Sequence, residues 1–180
     1  MIPIGYMAKR SCEKPKGFIM PSVADVFSVG SCVNDDFADY MSFWPQNGFW
    51  LFDSPEIIQN IARENSLSLA GTKLFYYEAY ESEFTGKEWR SFFPELNTAT
   101  DVLFPSQKIL EGVDVVTFST GTSPECSPLS CNGLANKIPT NRHCLIESFE
   151  EAKIALDSGK FDGAEPGPYR IFAVYSVDWR

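Results

Sequence analysis

Ten residues that occur twice constrain this chain more than any other feature. Pro45-Gln46-Asn47-Gly48-Phe49-Trp50-Leu51-Phe52-Asp53-Ser54 returns 94 positions later as Pro139-Thr140-Asn141-Arg142-His143-Cys144-Leu145-Ile146-Glu147-Ser148. Pro, Asn, Leu and Ser recur, and Asp53 is answered by Glu147. Pro and Asn favour a turn, the apolar run after them suits a short buried strand, and Ser suits a helix cap. Matched without gaps, Cys32–Phe84 and Cys126–Asp178 agree at nine of 53 positions. Composition alone gives roughly three. An internal duplication is therefore expected.

The periodicities extend the reading. Ile4–Lys9 suits an edge strand and Val23–Val29 a first core strand. Phe37, Tyr40, Met41 and Trp44 form one apolar stripe of a helix that Pro45 stops. Ser54 and Pro55 open a second helix, whose buried face is Ile57, Ile58, Ile61 and Ala62. Leu74–Phe84 is a long strand with aromatic and Glu side chains on both faces, so its core side stays open. The second copy predicts a strand at Asp114–Ser119, a helix at Leu129–Ile138, a strand at Cys144–Glu147 and a helix at Ser148–Ser158. Ser148 and Glu151 have capping-box spacing. Tyr169–Val177 is the last strand, and Lys87–Phe93 predicts a short helix between the copies.

The expected fold is therefore α/β, with α+β as the alternative. It is an internally duplicated strand–helix–strand–helix–strand unit with pseudo-two-fold symmetry and a mixed or mostly parallel sheet. Helices would pack on that sheet. Residues 1–180 form a single domain of two similar halves, 22–84 and 112–178, joined by the linker 85–111. Trp44, Leu51, Ile58, Ile61, Leu134, Leu145 and Ala152 are the expected core.

Charge narrows the partners. Fifteen Lys and Arg against 24 Asp and Glu leave a net charge of −9. That disfavours nucleic acid and anionic lipid and favours a basic protein partner. No apolar run approaches the roughly 20 residues of a membrane span. The start, Met1–Tyr6, lacks a secretory pattern, so a cytoplasmic location is expected. Five cysteines, an odd number, cannot all pair within one chain.

Chemistry is sparsely marked. There is no Walker loop, Gly-x-Gly-x-x-Gly or Gly-x-Ser-x-Gly. His143 is the only histidine. Cys126, Cys131, His143 and Cys144 are weak metal candidates, because the duplication places Cys131 and Cys144 at core positions. No metal or cofactor is expected. Cys32 and Cys126 each follow the first strand of a half and precede its first helix, where a helix start can favour a thiolate. The acidic, aromatic run offers Tyr77, Glu78, Tyr80, Glu81 and Glu83 as a partner surface. The leading expectation is a non-enzymatic cytoplasmic binding protein, inhibitor-, immunity- or adaptor-like, with homo-oligomers compatible. The alternative is a small-molecule-binding protein or thiol enzyme using the loops at Cys32 and Cys126.

Overall fold

Thirteen residues, Thr72–Phe84, form the longest strand, β5, in the middle of the sheet. The computed structural model describes residues 1–10, 12–13, 22–30, 35–37, 47, 49–92, 101–117 and 126–179. The other strands are β1 (Ile2–Arg10), β2 (Cys12–Glu13), β3 (Asp25–Val26), β4 (Asp35–Asp36), β6 (Trp89–Ser91), β7 (Ile109–Thr117) and β8 (Tyr169–Val177). The helices are α1 (Pro55–Glu64), α2 (Pro128–Cys131) and α3 (Phe149–Asp157), with a 3₁₀ turn at Leu134–Asn136. The main sheet runs β4-β1-β5-β8-β7, β6 adds to the far end of β5, and β2 and β3 make a separate ribbon.

Among the described residues every strand pair is antiparallel, which overturns the expected mixed or mostly parallel α/β sheet. The cause lies in the repeated motif. Phe49–Phe52 and Cys144–Glu147 are not strands but reversing turns, each touching the sheet by a single bridge, Tyr6 to Phe52 and Val113 to Ile146. Without a middle strand, each segment is strand–turn–helix–strand, and its second strand returns antiparallel beside the first. Other expectations change with it. Val23–Val29 supplies only the two residues of β3, and Asp35–Asp36 pairs with β1 rather than starting a helix. Residues 38–46 of that predicted helix, with Trp44, lie outside the described residues. The helix expected at Leu129–Ile138 breaks at Asn132-Gly133, where Gly133 takes φ +65°. Lys87–Phe93 contributes β6, not a helix.

The two copies of the motif are built alike. Asn47 Oδ1 accepts from the backbone N–H of Phe49 and Leu51, and its Nδ2 donates to the Ile4 carbonyl. Asn141 Oδ1 accepts from His143 and Leu145, and its Nδ2 donates to the Glu111 carbonyl. Each Asn thus closes its own turn and ties it to a neighbouring strand. The tie falls at a strand irregularity, Pro3/Gly5 in β1 and Leu110/Gly112 in β7. Trp50 and Cys144 occupy the same left-handed position, φ 61° and 63°. Gly5 faces Tyr77 and Gly112 faces Val174. The return strands therefore correspond 97 positions apart, against 94 for the two Asn residues, and a longer loop before β8 accounts for the difference. The ungapped count misaligned that last strand.

Both faces of the sheet are covered, so Leu74 through Ala79 are all buried. One face carries Tyr6, Tyr76 and Tyr80 beneath the two longer helices: Glu56 of α1 lies near Tyr6, and Phe149 of α3 stacks on Tyr80 at 4.4 Å. The other carries Lys9, Phe75, Tyr77 and Asp114 beneath residues 22–30, where Phe27 meets Phe75 at 4.9 Å. The N-caps differ: Ser148 Oγ accepts from the Glu151 N–H, while Ser54 makes no such bond. Leu51, Ile58, Ile61, Leu134, Leu145 and Ala152 are buried as expected. Leu51→Ala and Leu145→Ala, each removing a side chain that plugs a turn onto the sheet, should each lose about 2–4 kcal/mol in denaturant titrations.

Candidate functional site

The acidic run predicted as a partner surface is mostly interior. Tyr77, Glu78 and Glu83 are 0%, 6% and 3% exposed. Glu78 is held by Lys108, whose ammonium also lies 4.0 Å from the Tyr175 ring centre. Glu83 bridges two arginines, with Arg170 Nε at 2.7 Å and Arg90 Nε at 2.5 Å. Arg170 in turn stacks over Phe92, 3.7 Å from the ring centre. Tyr80 is half-buried under Phe149, and Glu81 alone of the five has an exposed side chain. These carboxylates hold the sheet together from within. Tyr77, Glu78 and Glu83 are therefore not presented on the surface of the folded protein, contrary to the exposed face expected of them.

The tyrosines around Glu78 are strongly perturbed. Tyr6 and Tyr76 lie 5.0 Å apart, and Tyr76 and Tyr175 5.9 Å apart. Burial, then the charge of Glu56, pushes the Tyr6 hydroxyl up to about 12. Burial and the Glu78 charge push Tyr76 and Tyr175 well above the usual phenol range. None is poised to give up a proton near neutrality, so they serve as hydrogen-bond donors and packing surface.

Cys32 lies outside the described residues. Cys126 is buried ahead of α2, which at four residues is too short to have a developed dipole. The segment ending at Gly30 does approach the turn after Cys126: Gly30 N–H donates to Ser127 Oγ at 2.9 Å. Under this contact sits a feature that sequence reading missed. Asp114 Oδ2 accepts from Ser127 Oγ at 2.6 Å and from Val29 N–H at 2.8 Å. Lys9, also buried, donates to the Ser28 and Val29 carbonyls and lies 3.2 Å from Asp36. An Asp inside an otherwise apolar strand, Val113-Asp114-Val115-Val116, was the available signal.

The weak metal candidates do not converge. Among the described residues no three His, Cys, Asp or Glu side chains gather to hold a metal ion. Cys144 packs in the second hydrophobic cluster, where burial pushes its thiol up to about 12. His143 stacks on Phe27 at 4.0 Å between two carboxylates, with Nδ1 2.5 Å from Asp25 and Nε2 3.7 Å from Glu111. Because these lie at opposite ring nitrogens, they clamp the imidazole and cannot share one ion with it. Neither ring nitrogen meets a nucleophile there, and Ser176 Oγ donates to Glu111 instead.

The remaining feature lies in the stretch read as the linker. Tyr6 hydroxyl donates to the Leu103 carbonyl at 2.6 Å, and Leu103 N–H donates to the Asp53 carbonyl. These bonds fix the backbone while leaving Leu103 54% and Phe104 72% exposed. A few residues on, at the start of β7, Ile109 and Leu110 are 67% and 52% exposed. A cavity of about 220 Å³ opens among Tyr6, Pro55, Glu56, Phe104, Val177 and Asp178. A second hollow of about 260 Å³ shares Gln107, Val177 and Asp178 with it, making one groove on both sides of residues 103–109. Leu103 and Phe104 line the first hollow and Ile109 the second, so three of these exposed apolar side chains gather at the hollows, unlike the singly scattered apolar residues of ordinary surfaces. The chain matches no protein-family model, no curated protein and no solved structure. Among the described residues, no helix is long and apolar enough to cross a membrane.

Proposed function

We propose that the chain is a non-enzymatic, cytoplasmic binding protein whose partner contact is the groove beside Leu103 and Phe104. The exposure of Leu103 and Phe104 at a ready-made cavity, with exposed Ile109 lining the adjoining hollow, carries this reading. Such a surface gains free energy by being covered, and a preformed hollow lets one inserted side chain act as the anchor. The partner is a basic protein that presents an aromatic or long aliphatic side chain. Exposed Glu56 and Asp178 rim the cavity, the chain carries a net charge of −9, and Lys108 nearby is already engaged by Glu78. The charge steers encounter and the anchor holds the complex.

A photoreactive amino acid at Gln107, which lines both hollows, tests this in native cells. The expected adduct is a basic protein. Its purified form should bind Phe104→Ser at least about tenfold more weakly, through faster dissociation. Glu56→Lys should slow association and flatten its salt dependence. Phe104→Ser should change folding stability by no more than about 0.5 kcal/mol, since the ring is exposed. Crosslinking only to a second copy of the chain, or binding indifferent to Phe104 and Ile109, would overturn the proposal.

A further inference from the structure

Asp114 lies on the sheet face opposite the Tyr6 side of the groove and takes no part in it. We propose that Asp114 is a proton-operated latch: protonated, it holds residues 28–30 and the turn at Ser127 on the sheet, and ionised, it lets that cover open more readily. One carboxyl oxygen joins three separate segments. Asp114 Oδ2, on β7, accepts from Val29 N–H and Ser127 Oγ, and Ser127 Oγ accepts from Gly30 N–H. The two covering segments press together here, since a Cβ on Gly30 would lie 3.1 Å from the Ser127 nitrogen. Oδ1 is buried with no hydrogen-bond partner, as is the hydroxyl of Tyr77. An ionised Asp114 therefore keeps one oxygen poorly solvated, while a protonated one sheds the charge and Oδ2 still accepts both bonds.

The surroundings do not cancel the charge. From β1 comes Lys9, but Asp36 of β4 and two backbone carbonyls already engage its ammonium. From β5 comes Tyr77, and from the turn before α3 comes Cys144; both feel the Asp114 charge as a repulsion against ionising. His143, with Asp25 and Lys73, faces the same covering segment further along, where the Asp25 and Phe27 amides donate to the Arg142 and His143 carbonyls. Burial pushes Asp114 up to about 6, against the pull of Ser127, the Val29 and Val115 amides and Lys9. In an opened form the group returns to its ordinary value of 3.8. The closed form thus binds the proton more tightly. Opening is rarest below about pH 4, grows as pH rises towards 6, and levels off above it. Between about pH 4 and pH 7 the opening constant should rise roughly 50-fold.

Two measurements decide the matter. In the wild-type protein, carboxyl-carbon NMR should give Asp114 a midpoint near 6, moved upward by Ser127→Ala. Native-state hydrogen exchange, corrected for intrinsic rates, should show the Val29 and Gly30 amides losing protection by that factor between pH 4 and 7. In Asp114→Asn the change should vanish. The Asp25 and Phe27 amides, bonded to the Arg142 and His143 carbonyls in the same covering segment, serve as the internal control. An Asp114 midpoint below about 4.5, protection at Val29 and Gly30 that ignores pH, or the same pH dependence in Asp114→Asn would overturn the latch.

Discussion

Gly112→Ala is expected to lose about 4–6 kcal/mol, a large share of the stability of a domain this size. Gly112 has φ +142°, and a Cβ built on it would lie 2.8 Å from both the Ile146 carbonyl oxygen and the Leu145 Cβ. Neither neighbour can yield easily. The Ile146 carbonyl accepts from Val113 N–H, and Leu145 is fully buried. Gly5→Ala should behave alike, with φ +137° and contacts of 2.8 Å to Leu51 Cβ and 2.9 Å to the Phe52 carbonyl. Gly71→Ala is the informative control: φ is +76° but nothing lies within 4 Å of the added carbon. It should cost only about 1–2 kcal/mol, the backbone penalty alone. Denaturant midpoints of the three variants separate crowding from backbone strain. If Gly112→Ala loses no more than Gly71→Ala, the close approach of turn to strand is not what glycine is needed for.

Glu83→Ala should lose about 3–5 kcal/mol, because it strips the buried Arg170 guanidinium of its carboxylate. Arg170 already has its pKa lowered by burial, with Glu83 as the group pulling it back up. Glu81→Ala, two residues away but exposed, should fall within about 0.5 kcal/mol. The pair of variants separates a carboxylate that builds the sheet from one that merely decorates it. Near-equal losses in thermal or denaturant unfolding would mean that the Glu83 bridge adds no more than a surface ion pair.

The contrast between Glu81 and Glu83 shows why the chain was only partly legible. Turn chemistry is local, so the Asn47 and Asn141 turns, the Ser148 cap and the bounds of β8 could be read from neighbouring residues. Strand direction could not. Phe49–Phe52 and Cys144–Glu147 contain apolar residues because they plug turns under bulged strands, and burial without pairing leaves the same mark as a central strand. Misreading those few residues converted an antiparallel sheet into a parallel one. Glu78 and Glu83 looked like surface because the cations that bury them, Lys108 and Arg170, are 30 and 87 positions distant. The groove was missed for the opposite reason. Leu103 and Phe104 follow no helical or strand period, and Pro105 made the stretch read as a break in a linker.

The position of β8 has a consequence for how the protein is made. Of the strands described, it is the last to leave the ribosome, yet it lies between β5 and β7 and pairs with both along most of its length. Until it arrives, β5 and β7 each present an unsatisfied edge rich in aromatic and β-branched residues, the kind of surface on which nascent chains stick to one another. The early part of the chain therefore cannot settle into a smaller finished sheet while synthesis continues. Only when Tyr169–Val177 fills the gap are both edges paired and the two flanking segments joined in one sheet.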